Sequence, residues 1–194
     1  GKQMLKKYFI TVTIEIKNTE TNEVSNYAVD NFLIKNGTRY NFNGSKAMAI
    51  SFYSYNSAEE FRTNFDFESL PCFKNLTDRG YEVIVYSDIT YSFYGYCNNH
   101  MYSDVQPYEI VRVISPKTIE VRQMDTVQTV KPKHFVSGGF SAHCVDQDKQ
   151  EYNYTSNESN EVIKARLQKD GYYKSIAGKH FLSEQPFKFH DYNF

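Results

Sequence analysis

The chain has 194 residues, enough for one larger domain or two of about 100 residues, each able to bury a core. With 22 Lys plus Arg against 23 Asp plus Glu, the net charge of −1 excludes a polycation or an acidic nucleic-acid mimic acting through bulk charge. Aromatic residues reach 16%, with 17 Tyr, 15 Phe and no Trp, which excludes a disordered chain and favours β-structure over a helical bundle.

The first strand is expected over Tyr8–Ile16, where YFITVTIEI alternates β-branched and polar residues. A polar turn over Asn18–Glu23 leads to a second strand around Tyr27–Ile34, and Asn36-Gly37 marks a tight turn into residues 38–42. Ala47–Tyr53 reads as a continuation of this sheet. Ser57-Ala58-Glu59-Glu60 fits a capping box, with Phe61 and Phe65 on one face of the helix that follows. A second helical turn over Leu70–Leu76 is expected to stop at Arg79-Gly80, before the apolar strand Tyr81–Tyr86. Ser87–His100, rich in Tyr and turn formers, reads as an irregular joint between an α+β domain (1–95) and a β-rich domain (96–194).

In the second half, Tyr108–Ile114 and Thr118–Met124 flank Ser115-Pro116-Lys117 as a hairpin with Val111, Val113, Ile119 and Val121 as core candidates. Glu151–Tyr154, Val162–Gln168 and Tyr172–Ile176 read as further strands, the last two joined at Asp170-Gly171. The fold class is therefore α+β: an N-terminal antiparallel sheet with one or two short helices, then an all-β small barrel or twisted sheet.

No run approaches the roughly 18 apolar residues that cross a bilayer, and GKQMLKKYFITVTIEI lacks a signal-peptide core, so a cytoplasmic protein with no membrane partner is expected. Gly1–Gln3 read as non-native residues ahead of a natural start at Met4. Cys72, Cys97 and Cys144 are odd in number and widely spaced, so reduced thiols are expected.

No phosphate-binding glycine loop, dinucleotide fingerprint, nucleophile elbow, zinc-protease or EF-hand motif is present, and no cofactor or metal is expected. Ser137–Cys144 (SGGFSAHC) combines paired glycines with a His-Cys pair, but neighbours on a strand face opposite ways, which favours a structural glycine loop over catalysis. His134, His143 and His190 are the catalytic candidates, since a His beside Lys133 or Tyr192 supplies acid–base groups for RNA cleavage; spacing selects none of them. Residues 162–190 are locally basic and interleaved with aromatics. There Lys164, Arg166, Lys174, Tyr172 and Tyr173 are the expected contacts to nucleic acid or a partner, set against the alternative that the lysines are merely solvated and the aromatics are core.

The half from Tyr102 to Phe194 resembles a family of small uncharacterised proteins encoded by phages, plasmids and integrative elements of Gram-positive bacteria. The resemblance is carried by Tyr102-Ser103-Asp104, Pro107-Tyr108, the hairpin IVRVISPKTIEVRQMD, SGGFSAHC with Gln147, Gln150, Glu151 and Tyr152, and the terminal His190-Asp191-Tyr192-Asn193-Phe194. The usual family form carries a charged residue where this chain has Val105. The resemblance implies a mobile-element protein acting in a bacterial host, and some proteins of this kind are anti-CRISPR inhibitors of type II effectors. The expected function is then an inhibitor that binds the effector nuclease or its guide RNA, without catalysis. A small ribonuclease or RNA-binding protein, and a nucleic-acid-binding accessory protein of the element, are the competing readings.

Overall fold

The computed structural model describes residues 3–138 and 141–193. The described chain is mostly β, with two α-helices and a closed six-strand β-barrel, in agreement with the α+β class. It divides into two compact units, Lys6–Ser92 and Gly1–Leu5 with Phe93–Phe194. No helix among the described residues is long and apolar enough to cross a membrane.

In the unit Lys6–Ser92, strand β1 (Leu5–Asn18) places alternate residues Ile10, Val12 and Ile14 in the core with no exposed surface. It pairs antiparallel with β2 (Val24–Asn36), which pairs with β3 (Arg39–Asn43) across the Asn36-Gly37 turn. Gly37 has φ +64°, a conformation that side-chain-bearing residues resist. Strands β4 (Ser51–Phe52) and β5 (Tyr81–Tyr94) also pair with β1. Ala47–Tyr53 is not one strand: Ser45 accepts a hydrogen bond from the Ala47 amide and caps a 3-10 turn over Lys46–Met48, and only Ser51–Phe52 then extends into the sheet.

Helix α1 (Tyr55–Asn64) starts earlier than the capping box suggests. Its cap is Ser54, whose Oγ accepts from the Ser57 amide at 3.1 Å, which puts Ser57 inside the first turn. Ser54→Ala is therefore expected to cost about 1 kcal/mol in chemical denaturation, with Ser57→Ala costing clearly less. Phe61 and Phe65 stack at 5.5 Å, and Phe65 meets Tyr40 edge-on at 5.0 Å, which holds the helix to the sheet. Helix α2 (Pro71–Asp78) buries Leu76 and gives way at Arg79 to Gly80, whose φ of +86° turns the chain into β5.

β5 runs eight residues beyond the expected Tyr86, and β6 (Tyr96–His100) follows directly after Gly95, so the expected irregular joint is strand. Exposure alternates along β5, but both faces carry Tyr, Phe or Ser, so the sequence lacks the polar–apolar contrast that normally reveals a strand.

The second unit continues with β7 (Val105–Gln106), β8 (Tyr108–Ser115), β9 (Thr118–Gln123), β10 (Asp125–Val130), β11 (Phe135–Gly138), β12 (Ser141–Cys144), β13 (Glu151–Thr155), β14 (Val162–Leu167), β15 (Tyr173–Ser175) and β16 (Gly178–Ser183). The sheet order β16-β15-β14-β9-β8-β6 closes through pairing of β16 with β6, while β10–β13 and β11–β12 form separate two-stranded pairs. Ile110, Ile119, Val121, Ala165 and Tyr173 have no exposed surface and fill the barrel.

Glu109 and His180 are buried polar groups of the same unit. Glu109 is 1% exposed and accepts from Arg122 Nε at 3.1 Å and Nη2 at 2.8 Å, with Ser156 Oγ donating at 2.6 Å. His180 is fully buried, with Nδ1 2.9 Å from the Cys97 carbonyl, Nε2 2.6 Å from Ser175 Oγ, and the Tyr108 ring edge-on at 4.8 Å. Burial holds His180 below its usual 6.5, so the folded barrel resists protonation. The unfolded chain takes up that proton below about 6.5, so stability is full above that pH and falls on acidification. Melting curves from pH 7.5 to 5 are expected to show this loss, and His180→Gln to flatten it.

Candidate nucleic-acid interface

The barrel registers bring cations together that the sequence holds apart. Arg166 on β14 faces Lys174 on β15, Lys174 faces Lys179 on β16, and Lys179 faces His100 on β6. Directly opposed residues project from the same face, so three cations and His100, which burial holds below its usual 6.5 and so keeps mainly neutral at neutral pH, form one cross-strand row about 14 Å long at the normal strand spacing. All four are exposed, and no carboxylate forms an ion pair with Arg166, Lys174 or Lys179 among the described residues. Like charges directly opposed oppose folding, so this row is not there to hold the barrel together.

Beside the row lies an aromatic pair. Tyr172 and Phe181 stand 6.0 Å apart, Lys179 Nζ lies 4.7 Å from the Tyr172 ring centre, and His100 meets Phe181 edge-on at 4.7 Å. Phe181 is 42% exposed. Lys164, Arg166 and Lys174 line an open cleft of about 510 Å³, with Ile176 exposed along its wall.

Four of the five expected contact residues, Lys164, Arg166, Lys174 and Tyr172, thus reach this side of the barrel. Tyr173 does not. As the strand neighbour of Tyr172 it points inward, is fully buried, and donates its hydroxyl to the Pro116 carbonyl. Lys179 and Phe181 belong to the basic, aromatic stretch 162–190 but were not among the expected contacts, and His100 lies outside that stretch; β16 and its return to β6 are needed to place all three here.

Of the three candidate histidines, His134 and His143 are exposed beside or on the β11–β12 pair. Cys144 is buried with Sγ 3.6 Å from Asp146 Oδ1, and burial pushes its thiol up, so His143 and Cys144 face opposite ways as strand neighbours must. Asp146 is structural: its carboxylate accepts the amides of Lys133 and His134. Gly139 and Phe140 of the expected glycine loop lie outside the described residues.

His190 is differently placed. It lines a polar cavity of about 310 Å³ with Gln106, Thr126, Gln128, Tyr152, Lys188 and Tyr192. Asp104 Oδ2 lies 3.5 Å from His190 Nδ1, and Asp104 is itself fixed by the Asp191 amide at 2.7 Å. Gln150, 8% exposed, accepts from the His190 amide and donates to the His190 carbonyl, both at 2.8 Å. Gln147 accepts the Tyr192 amide, Tyr154 the Lys188 amide, and Asn193 clasps the Cys144 backbone. Tyr152 donates to Gln150 at 2.7 Å, and its phenol is pushed up to about 12, chiefly by burial. Asp104, Gln147, Gln150, Tyr152, His190, Asp191, Tyr192 and Asn193 are scattered along the sequence, yet here they form one hydrogen-bonded frame around a cavity.

No group of three His, Cys, Asp or Glu side chains suited to a metal ion occurs among the described residues. No protein-family model, curated protein or solved structure matches the chain.

Proposed function

We propose that the chain is a mobile-element-encoded anti-defence protein, an anti-CRISPR inhibitor of a type II effector that acts in the host cytoplasm by gripping the guide RNA on its C-terminal barrel. The observation that carries this reading is the row Arg166–Lys174–Lys179–His100 beside the Tyr172–Phe181 pair. Cations in a row meet successive phosphates, and exposed rings one step to the side stack on unpaired bases, the combination that single-stranded RNA requires. The near-zero net charge fits a protein that recognises nucleic acid at one face only. The resemblance of residues 102–194 to mobile-element proteins supplies the biological setting.

The test is a titration of the protein into a type II effector carrying labelled guide RNA and target DNA. Inhibition of target cleavage at no more than one-to-one stoichiometry is expected, and R166Q/K174Q/K179Q is expected to be inert at the same concentrations. Undiminished target cleavage with the unaltered protein overturns the anti-CRISPR reading. Inhibition that survives in the triple variant overturns the assigned face.

A further inference from the structure

The cavity around His190 is built more carefully than a surface dent needs. Lys188, His190 and Tyr192 alternate along one extended segment, and the Phe189 between them pairs with Val105. The segment's backbone is held by Tyr154, Gln150, Asp104 and Gln147 from four other places in the chain, so these side chains are preorganised. A volume of about 310 Å³ suits one nucleotide and excludes a duplex.

We propose that this cavity is a general acid–base centre that cleaves RNA. His190 has Asp104 Oδ2 3.5 Å from Nδ1 and the Tyr192 ring edge-on at 4.8 Å, and with its side chain 52% exposed it offers Nε2 as the base. Lys188 Nζ has Gln106 Oε1 at 3.3 Å and lies 5.6 Å from the Tyr152 ring centre, leaving N–H groups for a phosphate oxygen. In the step, the ribose 2′-oxygen attacks the adjacent phosphorus and gives its proton to His190 Nε2. The phosphorus–5′-oxygen bond breaks, and the leaving oxygen takes a proton from the Lys188 ammonium; His190 then gives its proton to solvent and Lys188 takes one back. The products are a 2′,3′-cyclic phosphate and a 5′-hydroxyl.

By register the face of the row continues from Lys179 through His100 and Val105 to Phe189, so Lys188 and His190, the neighbours of Phe189, project from the opposite face and the cavity is separate from the row. The chemistry itself belongs to the cavity alone.

Two substrates separate the claims: the dinucleoside phosphate UpA, which reaches no further than the cavity, and a labelled single-stranded oligoribonucleotide, which also binds the row. The unaltered protein is expected to cut both with turnover and to leave cyclic-phosphate ends, and a 2′-deoxy sugar at the cut site is expected to block the reaction. His190→Asn and Lys188→Met are each expected to lower the rate about 10²–10⁴-fold with unchanged melting temperatures. Neither substrate cut, or cleavage undiminished in His190→Asn, overturns the proposal. An oligoribonucleotide bound but left intact removes the catalytic claim and keeps the gripping face. UpA cut by a protein that does not bind the oligoribonucleotide removes the face and keeps the centre.

Discussion

Replacing Arg166, Lys174 and Lys179 together by glutamine is expected to abolish RNA binding without weakening the fold. Three phosphate contacts on a single strand predict a slope of log affinity against log salt of about −2, so a tenfold rise in salt weakens binding about 100-fold. The triple variant is expected to lose that slope and, at low salt, about 100-fold in affinity, read by fluorescence anisotropy of a labelled oligoribonucleotide over a salt series. Its melting temperature is expected to stay level or rise, because the substitutions relieve the opposed pairs Arg166–Lys174 and Lys174–Lys179. A variant that binds with the same salt slope moves the interface elsewhere. One that loses binding only because it unfolds shows that the row serves packing.

The second large effect lies away from any ligand. Arg122→Met removes the guanidinium that donates twice to the buried Glu109 carboxylate, and a buried carboxylate stripped of its cation costs about 3–5 kcal/mol. Since Glu109 and Arg122 face each other between β8 and β9, the loss falls on the central hairpin of the barrel. Urea denaturation of the C-terminal unit is expected to shift to markedly lower midpoint. The double variant E109M/R122M is expected to recover most of the loss, because an apolar pair removes the unpaired charge instead of stranding it.

How much of this the sequence carries depends on how local the cause is. The turns at Gly37 and Gly171 were legible because a glycine that takes positive φ marks them locally, and the alternation of β1, β8 and β9 because one face of each is apolar. β16 was not legible: its inward residues include His180, which reads as polar but is paid for by two hydrogen bonds that only the folded barrel supplies. A two-residue turn at Asp170-Gly171 would set Leu167 opposite Lys174, whereas the observed register is centred on Asp170 and sets Arg166 there, so even the first link of the cation row needed the structure. Its extension to Lys179 and His100 needed the return of β16 to β6. The frame around His190 joins residues 104, 147–152 and 188–193, and the hydrogen bonds that assemble it obey no sequence period. Acid–base chemistry singled out His190 and Tyr192 in the sequence, but nothing there showed that they meet Asp104, Gln147 and Gln150.

The closure of β16 onto β6 also sets the order in which this unit can be made. His100 must wait for Lys179, roughly 80 positions later, which at 5–20 residues per second is about 4–16 s of synthesis. Throughout that interval the backbone groups of β6 on that side present an open edge, available to any passing strand. A ribosome that stops before residue 178 therefore releases not a weakened barrel but a sticky, unclosed sheet.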